Sequence, residues 1–234
     1  MRKFAAELVG TYFLVLTIGI AVTRMNMLAP LAIGGVLMVM VYAGGHISGA
    51  HFNPAVTLAV LIRGRIGPAA AGGYVAAQIA GALVAALTTR LVLGGPRPAA
   101  LSLSGREIGA AFAVEALFTF ALAYVVLNVA TSRSHPDNSF YGLAIGGTVM
   151  VGAFTVGGIS GGAFNPAVAL GAATMGLFSW SIIWIHLVAE LIGGALAGMA
   201  FLALSRDDAV QAGPQPAPES VEHDHAATAM TATR

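Results

Sequence analysis

Two stretches of this chain are near copies of each other, and this internal duplication limits the possible folds more than any other feature. Residues 31–59 and 143–171 align without a gap at a constant offset of 112, and 17 of the 29 aligned positions are identical. Shorter matching stretches lie on both sides of this alignment. The chain therefore contains two copies of one structural unit, which we assign to residues 1–106 and 107–206.

The unit that is duplicated is rich in apolar residues. Of the 234 residues, 57% are hydrophobic and only 9% are charged, whereas soluble domains carry about 25% charged residues. Several apolar stretches reach the length of about 20 residues that spans a bilayer as a helix. We predict six membrane-spanning helices, at residues 4–23, 28–47, 67–93, 107–131, 139–157 and 178–205.

Charge and residue chemistry exclude several classes of protein. The net charge of +1 provides no electrostatic basis for binding nucleic acid. The chain has no cysteine, which excludes disulfides and thiolate metal sites. The predicted spans contain neither a nucleophile–base pair nor metal-ligand spacing, so we expect no enzyme activity, no metal site and no cofactor.

Each copy holds three spanning helices, and this odd number determines how the copies are related. After three crossings the chain has changed sides, so the second copy enters the membrane from the opposite face. Two such copies are related by a pseudo-two-fold axis in the membrane plane. The sequence thus predicts an all-α membrane protein built as an inverted repeat.

Two shorter apolar segments, 53–63 and 165–174, complete the units. Each begins with Asn-Pro-Ala, in which Asn can cap a helix and Pro favours its first position. Neither segment is long enough to span a bilayer. We predict that they are re-entrant half-helices that enter from opposite faces and meet near the middle. Irregular backbone at that depth is tolerated where it is buried in protein or lines a wet cavity, so a pore between the copies follows.

Basic residues predict the orientation, because positive charge concentrates on the cytoplasmic side. If both termini are cytoplasmic, the inner face receives Arg2, Lys3, Arg63, Arg65, Arg133, Arg206 and Arg234. The outer face receives Arg24, Arg90, Arg97 and Arg106. We therefore predict a multi-pass protein of the cell membrane with cytoplasmic termini. Residues 207–234 are rich in Pro, Gln and Ala and predict a disordered cytoplasmic tail.

The two Asn-Pro-Ala motifs and their surroundings resemble the major intrinsic protein family, the aquaporins and aquaglyceroporins. The resemblance rests on residues 48–57 (SGAHFNPAVT) and 160–168 (SGGAFNPAV), and on Glu7 and Glu115 in the first and fourth spans. It covers about residues 4–205. It implies a homotetramer in the lipid bilayer, with one pore in each subunit.

The candidate pore residues at the middle of the membrane are Asn53, Pro54, Ala55, Asn165, Pro166 and Ala167. The half-helix N-termini carry free N–H groups and partial positive charge, which disfavours cations where they face each other. The two asparagines can present side-chain N–H donors to a passing water or hydroxyl group. The prolines fix the first helical residue, and the alanines allow the two ends to touch.

Three glutamates lie within apolar spans, where a carboxylate is costly and usually functional. By resemblance, Glu7 and Glu115 brace the re-entrant loops by accepting backbone N–H bonds; a proton relay is the alternative. Glu190 in the sixth span has no counterpart in the usual family pattern, and the sequence does not decide whether it is protonated or pairs with a buried donor.

The chain departs from the family pattern after the second motif. Most members continue Asn-Pro-Ala with Arg, which helps form the narrow outer filter, whereas this chain has Val168. By motif offset the other filter positions are Ile33, Ala153 and Gly162. Such a ring is wide, apolar and without a charged donor, so it predicts passage of solutes larger than water.

The sequence therefore predicts a passive channel for water and small uncharged solutes, such as glycerol, urea, ammonia, peroxide or metalloid hydroxides. One alternative is a strictly water-selective pore, in which the loop after the third span fills the filter and Arg97 or Arg106 replaces the missing charge. A second is an inverted-repeat secondary transporter, which needs titratable groups near the midplane. An ion channel is a third, opposed by the facing helix N-termini.

Overall fold

A computed structural model describes residues 1–95 and 98–205 of the chain. In these ranges the chain forms eight α-helices and one 3₁₀ turn, Trp180–Ile182, and no β-strand. The helices are α1 (Arg2–Thr23), α2 (Ala29–Ser48), α3 (Pro54–Ile62), α4 (Pro68–Leu93), α5 (Arg106–Thr131), α6 (Tyr141–Ser160), α7 (Pro166–Met175) and α8 (Ile183–Leu204). The predicted tail at 207–234, together with Arg97 and Arg206, lies outside the described residues.

Six of the helices are long and apolar enough to cross a membrane: α1, α2, α4, α5, α6 and α8 with the turn that precedes it. The predicted spans agree with them to within a few residues, except that the sixth helix begins at Ile183 and not at 178. The side chain of Ser179 accepts a hydrogen bond from the Ser181 N–H and caps the 3₁₀ turn. A capped turn thus precedes the helix.

The two short helices α3 and α7 begin inside the protein. They have nine and ten residues, so each is only about 14–15 Å long, roughly half of a bilayer core. Each has Pro at its first position and an Asn N-cap in an extended conformation. They are the re-entrant half-helices that the two Asn-Pro-Ala motifs predicted.

Helix packing follows the duplication. In each copy the first helix packs against the third, α1 against α4 and α5 against α8. The half-helices cross between copies, since α3 packs against α8 and α7 against α4. The middle helices α2 and α6 pack against each other at Gly34 and Gly146, where a Cβ atom added to Gly34 would lie 2.5 Å from the Gly146 carbonyl oxygen.

Large apolar side chains cover the outside of the long helices, and lipid is the environment that such a surface requires. Exposed examples are Val9, Phe13, Leu31, Val39, Leu83, Leu87, Leu117, Leu143, Val151 and Leu196. The fold is that of an all-α membrane protein with six transmembrane helices and two re-entrant half-helices in an inverted repeat. Below, the terminal face is the side on which α1 begins and α8 ends, and the opposite face is the other.

Candidate functional site

The asparagine at the start of each half-helix is fixed by its own helix. Asn53 Oδ1 accepts hydrogen bonds from the N–H groups of Ala55 at 2.8 Å and Val56 at 3.4 Å. Asn165 Oδ1 does the same with Ala167 at 3.0 Å and Val168 at 3.4 Å. Because Oδ1 is turned toward the helix, the Nδ2 group of each amide points away from it.

The two half-helices are joined by a reciprocal pair of hydrogen bonds. Asn53 Nδ2 donates to the Phe164 carbonyl oxygen at 2.8 Å, and Asn165 Nδ2 donates to the Phe52 carbonyl oxygen at 2.9 Å. A primary amide has two N–H donors, so each asparagine keeps one beyond this bond. Both asparagines line the cavity described below.

The loops that lead into the half-helices hold a strained backbone. Phe52 and Phe164 have positive φ angles of 49° and 48°, a region that costs a residue with a Cβ about 1–2 kcal/mol. Such conformations persist where the surrounding structure enforces them. The N–H groups of both residues donate to buried glutamates, Phe52 to Glu7 and Phe164 to Glu115.

Glu7 binds the first loop through both of its carboxylate oxygens. Oε1 accepts from the Ser48 hydroxyl at 2.7 Å and the His51 N–H at 3.0 Å. Oε2 accepts from the Phe52 N–H at 2.7 Å and from Gln78 Nε2 at 2.8 Å. The side chain is fully buried, so these four donors take the place of water around the carboxylate.

Glu115 binds the second loop in a parallel way, with one difference. It accepts from the Ser160 hydroxyl at 2.6 Å, the Ala163 N–H at 3.1 Å and the Phe164 N–H at 2.8 Å. The three donors correspond to those of the first loop at an offset of 112. The residue that corresponds to Gln78 is Glu190, which is fully buried in the same region.

A cavity of about 470 Å³ leads from the paired asparagines to the opposite face. Ile33, Ala153, Gly162 and Val168 all lie in its wall. Pro54, Ala55, Pro166 and Ala167 do not contribute to the wall and are buried where the half-helices meet.

The remainder of this wall is mostly apolar and includes Leu14, Ile18, Leu37, Val56, Leu122, Val126, Val149, Leu177 and Phe178. Among the described residues no Arg or Lys side chain lines it. Arg106, the candidate substitute for the missing filter charge, is exposed and is not part of the wall. Arg97, the other candidate, lies outside the described ranges.

A second cavity, of about 630 Å³, opens on the terminal face. His51, Val126 and Ile145 line both cavities, so the two cavities adjoin beside the first re-entrant loop. This second cavity is more polar, and its wall includes Arg65 and Arg133. The cavity on the terminal face therefore carries basic groups, whereas the first cavity is mostly apolar.

Sequence reasoning missed two residues at the opposite-face end. Leu101 and Phe178 line the first cavity and pack over Gly161. Backbone bonds hold them there, from the Leu101 N–H to the Leu177 oxygen at 2.8 Å and from the Ser179 N–H to the Leu101 oxygen at 2.9 Å. A local sequence signal for this placement does not exist, because the paired segments are more than 70 residues apart.

Comparison with known proteins identifies the family. The sequence pattern of the major intrinsic proteins matches residues 1–201. The chain belongs to the major intrinsic protein family. It is 39% identical over 217 residues to glycerol uptake facilitator protein-like 6 from Lactiplantibacillus plantarum, covering 89% of this chain and 100% of that protein. It is 37% identical over 212 residues to aquaporin NIP1-1 from Zea mays, covering 86% of this chain and 74% of that protein.

A solved structure shares the fold of this major intrinsic protein. The X-ray structure of the aquaglyceroporin from Plasmodium falciparum superposes with a TM-score of 0.75 and 21% sequence identity, covering 89% of this chain and 98% of that one. Members of the family are passive channels. The chain is therefore a multi-pass membrane channel for water and small solutes, and it is not an enzyme.

Proposed function

We propose that this channel conducts neutral solutes larger than water, in the size range of glycerol and urea, and that ammonia, peroxide and metalloid hydroxides also pass. The observation that carries the proposal is Val168 at the position where most family members have Arg. No Arg or Lys in the described part of the chain lines the cavity around it. Its neighbours in the proposed filter are Ile33, Ala153 and Gly162.

The physical argument concerns what a narrow filter must supply. A water-selective opening is small, and its hydrogen-bond donors replace the hydration that a water molecule loses. Val, Ile, Ala and Gly side chains offer no donor, and Ala and Gly leave space. A solute with a carbon backbone gains contact with such a wall, while its hydroxyl or amino groups bond to the remaining N–H donors of Asn53 and Asn165.

The other parts of the proposed mechanism act on position and charge. Glu7 and Glu115 brace the two re-entrant loops, since each accepts hydrogen bonds from the loop of its own copy. The half-helix N-termini face each other with partial positive charge and so oppose cations. Residues 1–106 and 107–206 form the two repeat units, and the solute crosses between them.

The assembly and orientation that we propose follow from the family and from the charges. The channel is a homotetramer with one pore per subunit, as the family resemblance implies. It resides in the cell membrane with both termini in the cytoplasm, because the basic residues concentrate on the terminal face. Arg65 and Arg133 in the wall of the terminal cavity fit this orientation.

A second candidate, a strictly water-selective pore, is favoured by one observation. Leu101 and Phe178 line the first cavity at its opposite-face end, where the loop after α4 is bonded to the segment before α8. In that case the loop after α4 and the segment before α8 would set the width of the pore. The four filter positions would then matter less.

Stopped-flow light scattering on proteoliposomes separates the two candidates. Water permeability and the permeabilities to glycerol and urea are measured against protein-free liposomes of the same lipid. Our proposal expects both water and solute permeability to rise above the control. Water permeability that rises with no solute permeability contradicts it. Leu101→Ala is the variant that tests the second candidate. Its solute permeability rises above that of the wild type only if Leu101 sets the width of the pore.

A further inference from the structure

The two buried glutamate sites are equivalent except for one donor. In the first copy Gln78 Nε2 donates to Glu7 Oε2 at 2.8 Å and is also 3.0 Å from Thr57 Oγ1. In the second copy the equivalent of Gln78 is Glu190, whose ionised carboxylate has no hydrogen to donate. Glu115 thus has a place for a fourth donor, and an acid residue occupies it.

Glu190 is completely buried and faces a second acid. Its carboxyl group lies against the Glu115 carboxyl and the backbone of Asn165. Neither of its oxygens makes a hydrogen bond of good geometry to any residue in the described ranges. Two ionised carboxylates side by side in a buried site repel each other, and such pairs hold one proton between them.

The surrounding elements offer little compensating charge. Helix α8 packs against α3, α5, α7 and the 3₁₀ turn; α3, α7 and the turn contain no ionisable residue. On α5 the ionisable residues besides Glu115 are Arg106, Glu107 and Tyr124. Each is eight or nine residues from Glu115, which is roughly 12 Å along the helix. Arg63, which follows α3, lies over the Phe201 ring, eleven residues along α8 from Glu190.

His186 is the remaining neighbour, and its Nδ1 lies 3.5 Å from the Ile182 carbonyl oxygen. Its Nε2 lies 2.9 Å from the Ser160 carbonyl oxygen and 3.9 Å from Glu115 Oε1. Its equivalent in the first copy is Tyr74, whose hydroxyl donates to the Ser48 carbonyl oxygen at 2.7 Å. A hydrogen on the imidazole Nε2 makes the same bond to the Ser160 carbonyl oxygen.

We propose that Glu190 is a proton-binding residue that stays protonated at neutral pH and donates its O–H to Glu115. The carboxyl pair then holds a single proton. This proton gives Glu115 the hydrogen bond that the Gln78 amide gives to Glu7 in the first copy. Glu190 acts as a positioning residue. Through Glu115 it fixes the Ala163 and Phe164 N–H groups, and hence the amide of Asn165 in the pore.

The permeability of the channel is then expected to depend on pH, whichever solute passes. When the pair loses its proton at alkaline pH, two carboxylates oppose each other behind the loop. The loop is then held less firmly, and permeability falls. Gln cannot lose a proton in this range, so replacing Glu190 by Gln removes the pH dependence.

Infrared spectroscopy of the full chain in liposomes tests where the proton resides. A protonated carboxyl has a C=O stretch apart from the amide and carboxylate bands. The wild type minus Glu190→Gln difference spectrum at neutral pH is expected to show the loss of one such band. Gln78→Glu, which builds the same acid pair in the first copy, is expected to gain one. If Glu190→Gln removes no protonated band, the proton is not on Glu190 and the proposal is wrong.

Permeability gives a second, independent readout. Water permeability per folded protein is measured from neutral to alkaline pH for the wild type, Glu190→Gln and Glu190→Met. We expect a reversible, several-fold fall for the wild type, a flat profile for Glu190→Gln, and low permeability at every pH for Glu190→Met, which fills the space without a donor. An alkaline fall that persists in Glu190→Gln overturns the proposal, and this holds even if Glu190→Met does not fold.

Discussion

Position 168 is the residue on which the proposed selectivity of the channel depends. Val168 is the third residue of half-helix α7, and its N–H is tied to Asn165 Oδ1 at 3.4 Å. This bond restrains the backbone of Val168, and the residue lines the first cavity. An arginine there would bring five N–H donors and a permanent charge, whereas valine brings only apolar contact.

We predict that Val168→Arg sharpens selectivity toward water. The long side chain occupies volume beside Ala153 and Gly162, and its guanidinium replaces hydration for water better than for glycerol. Insertion scales assign about 2.5–3.5 kcal/mol to an Arg at the centre of a membrane helix, and a wet cavity lowers that cost. The ratio of glycerol to water permeability in proteoliposomes should fall.

Val168→Leu is the control for this prediction, because it adds volume without charge or donors. The comparison is made for variants that are folded and have the oligomeric state of the wild type. A glycerol-to-water ratio that stays the same or rises in Val168→Arg would show that position 168 does not belong to the filter, and that the four filter positions are assigned wrongly.

At the scale of elements, the crossing of α2 and α6 brings the two copies into direct backbone contact. A Cβ on Gly34 would lie 2.5 Å from the Gly146 carbonyl oxygen and 2.6 Å from Met150 Cβ. Backbone cannot move aside as the end of a flexible side chain can. Small residues let membrane helices approach in this way, and Ile33, a proposed filter residue, immediately precedes the contact.

We predict that Gly34→Ala destabilises the channel while Gly35→Ala does not. Overpacking of a tight contact costs about 1–3 kcal/mol, and an added Cβ at Gly34 must push α2 and α6 apart. A Cβ on Gly35 meets nothing within 4 Å, and Ala has the higher helix propensity. Thermal unfolding in one detergent compares the two variants. Equal unfolding temperatures would mean that α2 and α6 do not approach so closely.

At the scale of the whole molecule, the absence of cysteine determines how the channel responds to thiol reagents. The chain has no Cys at any position, so mercurials have no thiolate to modify. The two cavities thus contain no thiol at which such a reagent could attach.

We predict that water permeability is insensitive to mercurials at concentrations that leave the lipid intact, and that Val168→Cys makes it sensitive. A mercury adduct at position 168 would stand in the cavity, and excess thiol should reverse the block. Stopped-flow measurements with and without reagent test both variants. Rapid, thiol-reversible inhibition of the wild type would contradict the first part, and an insensitive Val168→Cys would contradict the second.

The sequence alone determined the elements of this protein, because the relevant signals are local. Apolar length specified the six spans, and an Asn followed by Pro specified where each half-helix begins, since capping involves residues two or three apart. The 112-residue duplication then required opposite insertion of the copies. The resemblance to the family pointed to Glu7 and Glu115 through their positions in the first and fourth spans.

Only the tertiary structure decided which groups that are distant in the sequence meet in space. The Asn53 amide bonds to the Phe164 carbonyl oxygen, Leu101 and Phe178 line one end of the cavity, and Glu190 faces Glu115. These partners are between 75 and 111 residues apart in sequence, and a pattern along the chain carries no information on how helices approach in space. Their contacts arise from the packing of whole helices, which is why the acid pair behind the second loop became visible only in the folded protein.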